Sequence, residues 1–258
     1  MDFNAVLDHP LISQQVFFPR PSGVTPTLRV DVGGIELGCY LHRIDPEACT
    51  VVYFHGNGEL AAECDRYCSE MFTDIGVNVC FAEYRGYGVS GGTPALAGML
   101  SDGERIVEAL GVSPERVIAF GRSLGSLYAV ELARRLPKLG GLVIESGIAD
   151  VLDLWPLEKV VTYFGGKAAE ITGAITTCLD QRTKLEGYKG PLLVMHAIDD
   201  QLLEPSHAER LHAWGGGADK RLVIFPQGNH NSIFAANATE YLSEVHGFLR
   251  KIELAQER

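Results

Sequence analysis

Short, almost continuously apolar runs alternate along the chain with longer stretches of helical period. The runs are TVVYFHG (50–56), VNVCFAEY (77–84), RVIAFG (116–121), GLVIES (141–146), PLLVMHA (191–197) and RLVIFPQ (221–227). Polar positions do not alternate with apolar ones inside them, which predicts strands covered on both faces. Between the runs, apolar residues recur at helical spacing over roughly 59–75, 94–111, 124–136, 204–215 and 236–253. Strand–helix repetition of this kind predicts an α/β fold, a mostly parallel central sheet with helices on both faces. Upstream, PTLRVDV and IELGCYLHRI flank Gly33-Gly34, so the sheet is expected to begin with an antiparallel hairpin.

Residues 151–190 break the rhythm, because a single crossover helix needs fewer than the roughly 40 residues between these two strands. Leu152, Leu154, Trp155, Leu157, Val160, Val161, Tyr163 and Phe164 fall there at helical spacing. The stretch reads either as a long crossover or as a small lid over a site, and the lid is the preferred reading. No linker, repeat or low-complexity tract appears, so 1–258 is read as one domain.

Composition narrows the class. At 258 residues, 46% hydrophobic and 21% charged, the chain can bury a sizeable core. A net charge of −11 argues against nucleic acid and anionic membranes as partners. Neither a signal-peptide pattern, a lipidation box nor an apolar stretch of spanning length is found, which leads to the expectation of a cytoplasmic protein without a membrane anchor. The six cysteines are expected to be reduced thiols. Cys64 and Cys68 are four apart on a predicted helix, but no second Cys or His pair completes a metal site, and no metal or organic cofactor is expected. Oligomeric state is not legible.

The chemistry concentrates at predicted strand ends. Gly121-Arg122-Ser123-Leu124-Gly125 follows one apolar run and opens a helix. Small residues on either side of a serine permit a sharp strand-to-helix turn that exposes its hydroxyl at a helix N-terminus. Without that context, Ser123 would read as a helix cap. A nucleophilic serine needs a base, and the base an orienting acid. Asp199 and Asp200 follow one later run and His230 the next, giving the order Ser123, Asp200, His230. Asp150 is an alternative acid. His55-Gly56-Asn57-Gly58 follows the first apolar run, and backbone amides there can serve an oxyanion hole. The donors are assigned to Asn57 and Leu124, with Gly58 the alternative to Asn57. His55 is expected to bridge loops, Arg122 to form a structural ion pair rather than bind a substrate carboxylate, and Tyr87 and Ser90 to shape a loop.

Together, HGNG, YRGYGVSGG (84–92), GRSLGS (121–126), HAIDD and GNH resemble the α/β-hydrolases, over about 26–252. The resemblance is strongest to a serine-hydrolase branch of small bacterial esterases, lysophospholipases and protein depalmitoylases. It implies an α/β-hydrolase fold and a Ser-Asp/Glu-His triad on Ser123, Asp200 and His230. It also places the acid four residues after His196. Ala197 stands where the acid-loop motif usually has glycine, and the Cys-rich lipidated N-terminus of eukaryotic depalmitoylases is absent, which argues against tethered depalmitoylation. The expected activity is hydrolysis of esters or thioesters with small to medium acyl chains. The alternatives are a peptidase or amidase, or a non-catalytic binding module, which would not need all three groups.

Overall fold

The computed structural model describes residues 2–154 and 168–256. Its eight strands are β1 (Leu28–Asp31), β2 (Glu36–His42), β3 (Thr50–Phe54), β4 (Asn78–Ala82), β5 (Val117–Arg122), β6 (Gly141–Glu145), β7 (Leu192–Ala197) and β8 (Lys220–Phe225). They lie in the order β1-β2-β4-β3-β5-β6-β7-β8. β1 pairs antiparallel with β2 and β2 with β4, and the remaining neighbours are parallel. The hairpin and the six apolar runs thus form strands where the pattern predicted them.

Successive strand residues feed two cores, the reason the runs carry no polar alternation. On β3, Val51 and Tyr53 pack with Phe72 of α3 (Ala61–Thr73) and with Tyr241, Val245 and Leu249 of a C-terminal helix. Val52 and Phe54 pack on the opposite face with Leu127 and Leu132. Between β3 and β5 the strand order reverses. At such a switch point the connections leave to opposite faces, and a crevice opens beyond the carboxyl ends of the strands.

The predicted helix 94–111 is shorter than expected: α4 is Asp102–Leu110. The reason is the Asp8 carboxylate, which accepts from the amides of Ala97 and Gly98 at 2.8 and 3.1 Å and holds 96–101 in turns. Asp8 follows α1 (Phe3–Leu7), and the α2 that comes next is Pro10–Val16. The remaining helices are α5 (Gly125–Arg135), α6 (Ala168–Cys178), α7 (Gln181–Gly187), α8 (Ser206–Trp214), α9 (Ile233–Ala236) and α10 (Ala238–Gln256). Within 151–190, α6 packs on α1, while Trp155, Leu157, Val160, Val161, Tyr163 and Phe164 lie outside the described residues. Among the described residues, no helix is long and apolar enough to cross a membrane.

Helices α5 and α7 are joined by a buried charge cluster. Glu131 accepts from Arg134 and Arg135 at 2.6 and 2.7 Å and from Lys184 at 2.8 Å. Burial alone would raise the Glu131 carboxyl, but the Arg134 hydrogen bond and the Lys184 charge hold it down at about 2, against an ordinary 4.5. A carboxyl lowered on folding stabilises the native state above its unfolded value, and that contribution fades as pH falls from about 4.5 towards 2. At about 1.4 kcal/mol per pKa unit this amounts to about 3 kcal/mol. Glu131→Gln is therefore expected to lower Tm by about 5–10 °C at pH 7. The gap to the parent protein should close as thermal melts are taken below about pH 4. A gap that persists at pH 2.5 would show that packing, not charge, sets the loss.

Candidate active site

β5 runs into α5 through a turn on which Ser123 adopts φ 51°, a left-handed conformation that a non-glycine residue holds only under constraint. The flanking glycines show the constraint. A Cβ on Gly125 would lie 2.0 Å from the Phe54 carbonyl oxygen, and one on Gly121 would lie 2.7 Å from the Gly125 carbonyl oxygen. The Ser123 amide donates to the Glu145 carbonyl at 2.9 Å, which ties the turn to the end of β6.

His230 comes from the loop after β8 and Asp200 from the loop after β7. His230 Nε2 lies 2.9 Å from Ser123 Oγ, and its Nδ1 lies 2.7 Å from Asp200 Oδ2. All three residues are buried. Asp200 Oδ1 accepts from the amides of Leu202 and Leu203, each at 2.9 Å. Its Oδ2 also lies 3.2 Å from Nε2 of His196, which donates to the Leu203 carbonyl at 2.8 Å. Burial would raise the Asp200 carboxyl, yet hydrogen bonds from His196, His230 and the Leu203 amide hold it well below the usual carboxylate range. Asp199 is exposed, and its carboxylate has no partner among the described residues. Asp150 instead accepts from the Leu152 amide at 2.9 Å and caps a short turn.

The HGNG loop sits beside this line across the β3–β5 crevice. Among the described residues, the amides of Asn57 and Leu124 have no acceptor. The Gly56 amide is taken by the Glu59 carboxylate at 2.7 Å. The Phe18 amide donates to the Tyr87 hydroxyl at 3.0 Å, and burial pushes that hydroxyl up to about 12. His55 bridges as expected: Nε2 meets Glu83 at 2.7 Å and Nδ1 the Gly56 carbonyl at 2.8 Å. Ser90 Oγ accepts from the Gly38 amide at 3.0 Å, a loop contact as expected.

Arg122 is largely covered, its side chain 12% exposed, and fully engaged. It donates to Glu59 at 2.5 Å, to Glu145 at 3.2 Å and to the His230 carbonyl at 2.9 Å. Burial would lower the guanidinium, but the Glu145 and Glu59 charges raise it above its ordinary value. One side chain thus links the HGNG loop, through Glu59 and Gly56, to the histidine loop. Glu59 and Glu145 were not singled out from the sequence. The available signal was an arginine inside an apolar strand end, which demands buried counter-charges.

Residues 16–22, also unforeseen, strap the HGNG loop from outside. The Asn57 amide group donates to the Val16 carbonyl at 2.5 Å, and its Oδ1 accepts from the Phe18 amide at 3.1 Å and the Tyr87 hydroxyl at 2.8 Å. Arg20 donates to the Gly58 carbonyl at 2.7 Å. Phe18 rests against Gly58 with its ring largely exposed.

Known proteins share this architecture. A family model described as Serine aminopeptidase, S33 matches residues 45–170. The chain is 27% identical over 210 residues to Protein bem46 of Schizosaccharomyces pombe, covering 80% of this chain and 68% of that protein. It is 29% identical over 225 residues to alpha/beta hydrolase domain-containing protein 17C of Xenopus tropicalis, covering 84% of this chain and 66% of that one. Among solved structures, the Pyrococcus furiosus esterase Pf2001 superposes with a TM-score of 0.71 at 17% identity, over 91% of this chain and 98% of the other. The Paleococcus ferrophilus monoacylglycerol lipase superposes with a TM-score of 0.65 at 20% identity, over 84% and 99%. Fold, topology and sequence likeness agree: the chain has an α/β-hydrolase fold and is similar in sequence to alpha/beta hydrolase domain proteins.

Proposed function

We propose that this protein is a serine hydrolase that cleaves carboxylic esters or thioesters of small to medium acyl chains. The observation that carries the reading is the buried line Ser123 Oγ–His230 Nε2, 2.9 Å, and His230 Nδ1–Asp200 Oδ2, 2.7 Å. His230 takes the Ser123 proton as Oγ attacks the acyl carbon, and the Asn57 and Leu124 amides receive the oxyanion. The C–O or C–S bond then breaks, His230 returns the proton to the leaving oxygen or sulfur, and the acyl group stays on Oγ. Water, deprotonated by His230, attacks in turn and releases the acid and the free serine. Asp200, held ionised by its donors, keeps the imidazole in the tautomer this requires. No step draws on a metal or organic cofactor. Phe18, exposed beside Gly58 of the HGNG loop, supports an apolar acyl side, with 151–190 as a lid on a single domain.

A fluorophosphonate probe is expected to label Ser123 stoichiometrically, read by mass spectrometry of the labelled peptide, and to leave Ser123→Ala unlabelled. Persistent labelling of the variant would move the nucleophile elsewhere. In a p-nitrophenyl ester series, kcat/KM should rise from acetyl to butyryl or hexanoyl, since each buried methylene contributes about 0.8 kcal/mol at most. It should fall beyond about twelve carbons, where a lid of this size gives no further apolar cover. The match to the serine aminopeptidase model favours peptide hydrolysis as the second reading. Faster turnover of aminoacyl p-nitroanilides than of the esters would select it.

A further inference from the structure

We infer that the alcohol side of the substrate enters a polar, cation-tolerant subsite built by the acid and histidine loops, and that Asp199 sets its charge preference. This rests on the serine-hydrolase reading. His230 must hand its proton to the departing oxygen, so the leaving group has to sit within hydrogen-bond reach of that imidazole. A cavity of about 550 Å³ borders His230; its wall carries one apolar side chain, Leu202, and the polar Asp199, Gln201, Asn229, Asn231 and Ser232. The volume lies within the range of small-ligand sites.

Its chemistry is one-sided. The Asp199 carboxylate and the Gln201 amide have no hydrogen-bond partner among the described residues, so both remain for a ligand. Asn229 Oδ1 already accepts from the Asn231 amide and the Ser232 hydroxyl, each at 3.0 Å, which fixes the histidine-loop wall. The nearby cation, Arg122, reaches Asn231 Oδ1 at 3.3 Å, but Glu59 and Glu145 already meet its charge. Among the described residues, an anionic leaving group would therefore face an unpaired carboxylate and no free cation. Hydroxyl and ammonium donors would find open acceptors. The geometry thus selects esters of polyols or of ammonium-bearing alcohols over those of phosphorylated or carboxylated alcohols and thiols.

The test holds the acyl group constant and varies the leaving group: butyrylcholine, monobutyrin and the butyryl ester of glycolate, with kcat/KM measured at low salt and in 0.5 M NaCl. Wild type is expected to favour choline over glycolate by about tenfold at low salt and by less in 0.5 M NaCl, as expected for a charge at an open mouth. Asp199→Asn should flatten the ranking and Asp199→Lys reverse it, the change falling on KM. A wild type that prefers the glycolate ester, or a ranking that Asp199→Lys leaves untouched, would overturn the subsite. Fluorophosphonate labelling and p-nitrophenyl butyrate turnover on the same preparations separate the two levels. If both are intact and the ranking is wrong, the subsite alone fails. If neither label nor turnover is seen, the hydrolase reading fails and the subsite with it.

Discussion

Asp200→Asn is expected to lower kcat by about 10³- to 10⁴-fold with the fold intact. The size follows from what surrounds the carboxylate. Oδ1 is committed to the Leu202 and Leu203 amides, so the new amide oxygen must stay on that side. The new NH2 group then points at His230 Nδ1, which must become an acceptor. The imidazole proton is forced to Nε2, the atom 2.9 Å from Ser123 Oγ, and the ring can no longer take the serine proton. The same NH2 meets His196 Nε2, already a donor to the Leu203 carbonyl. Asp199→Asn touches none of this and should change kcat on p-nitrophenyl esters by less than about tenfold. The check is kcat for both variants, with circular dichroism to establish folding. If neither variant is crippled, Asp200 does not orient the base and Asp150 becomes the acid to examine; if Asp199→Asn is the crippled one, the acid is its neighbour.

The second large effect is expected at Arg122. Removing the guanidinium leaves Glu59 and Glu145 unbalanced at the edge of the sheet and takes the donor from the His230 carbonyl. Breaking a buried ion pair on one side costs about 3–5 kcal/mol, and displacement of a reacting group by about 1 Å can cost about 10² in rate. Arg122→Ala should therefore lower both Tm and kcat, the latter by about 10²-fold, with KM changed less. Arg122→Lys should recover most of the stability but only part of kcat, because an ammonium cannot hold both carboxylates and the carbonyl in one plane. If Lys restores both in full, the charge matters and the geometry does not. Loss of Tm without loss of kcat in Arg122→Ala would reduce the residue to a structural pair.

The parts of the molecule legible in the sequence are those set by strong local physics. Five strands covered on both faces, β3 to β7, leave unbroken apolar runs, and only the edge strand β8 is partly open. Ser123 is announced by two glycines that backbone contacts at Phe54 and Gly125 require, and Asp200 and His230 by their places just past strand ends. What escaped depends on polar contacts between distant segments. Asp8 interrupts the helix expected from residue 94 through two side-chain acceptor bonds, and no periodicity encodes that. The strap 16–22 has neither apolar alternation nor helical spacing, since Asn57, Tyr87 and Gly58 hold it by individual hydrogen bonds. Two of the lid-face residues, Leu152 and Leu154, pack against the core rather than standing clear of it.

The strand order carries a consequence for how the protein comes into being. Ser123 and His230 are 107 positions apart, and the Cys49 amide is met by Glu253, 204 positions away. A mostly parallel sheet with pairings this distant forms slowly, because each closure orders a long segment before any contact rewards it. During synthesis the serine turn and the HGNG loop emerge long before β8 and the histidine. The nascent chain therefore carries the proposed nucleophile without its proposed base, and with β7 still an open edge. Such an edge invites pairing with other chains. In the proposed reading the hydrolytic centre is therefore complete only when the sheet is, and the interval before that is when the chain is most exposed to association.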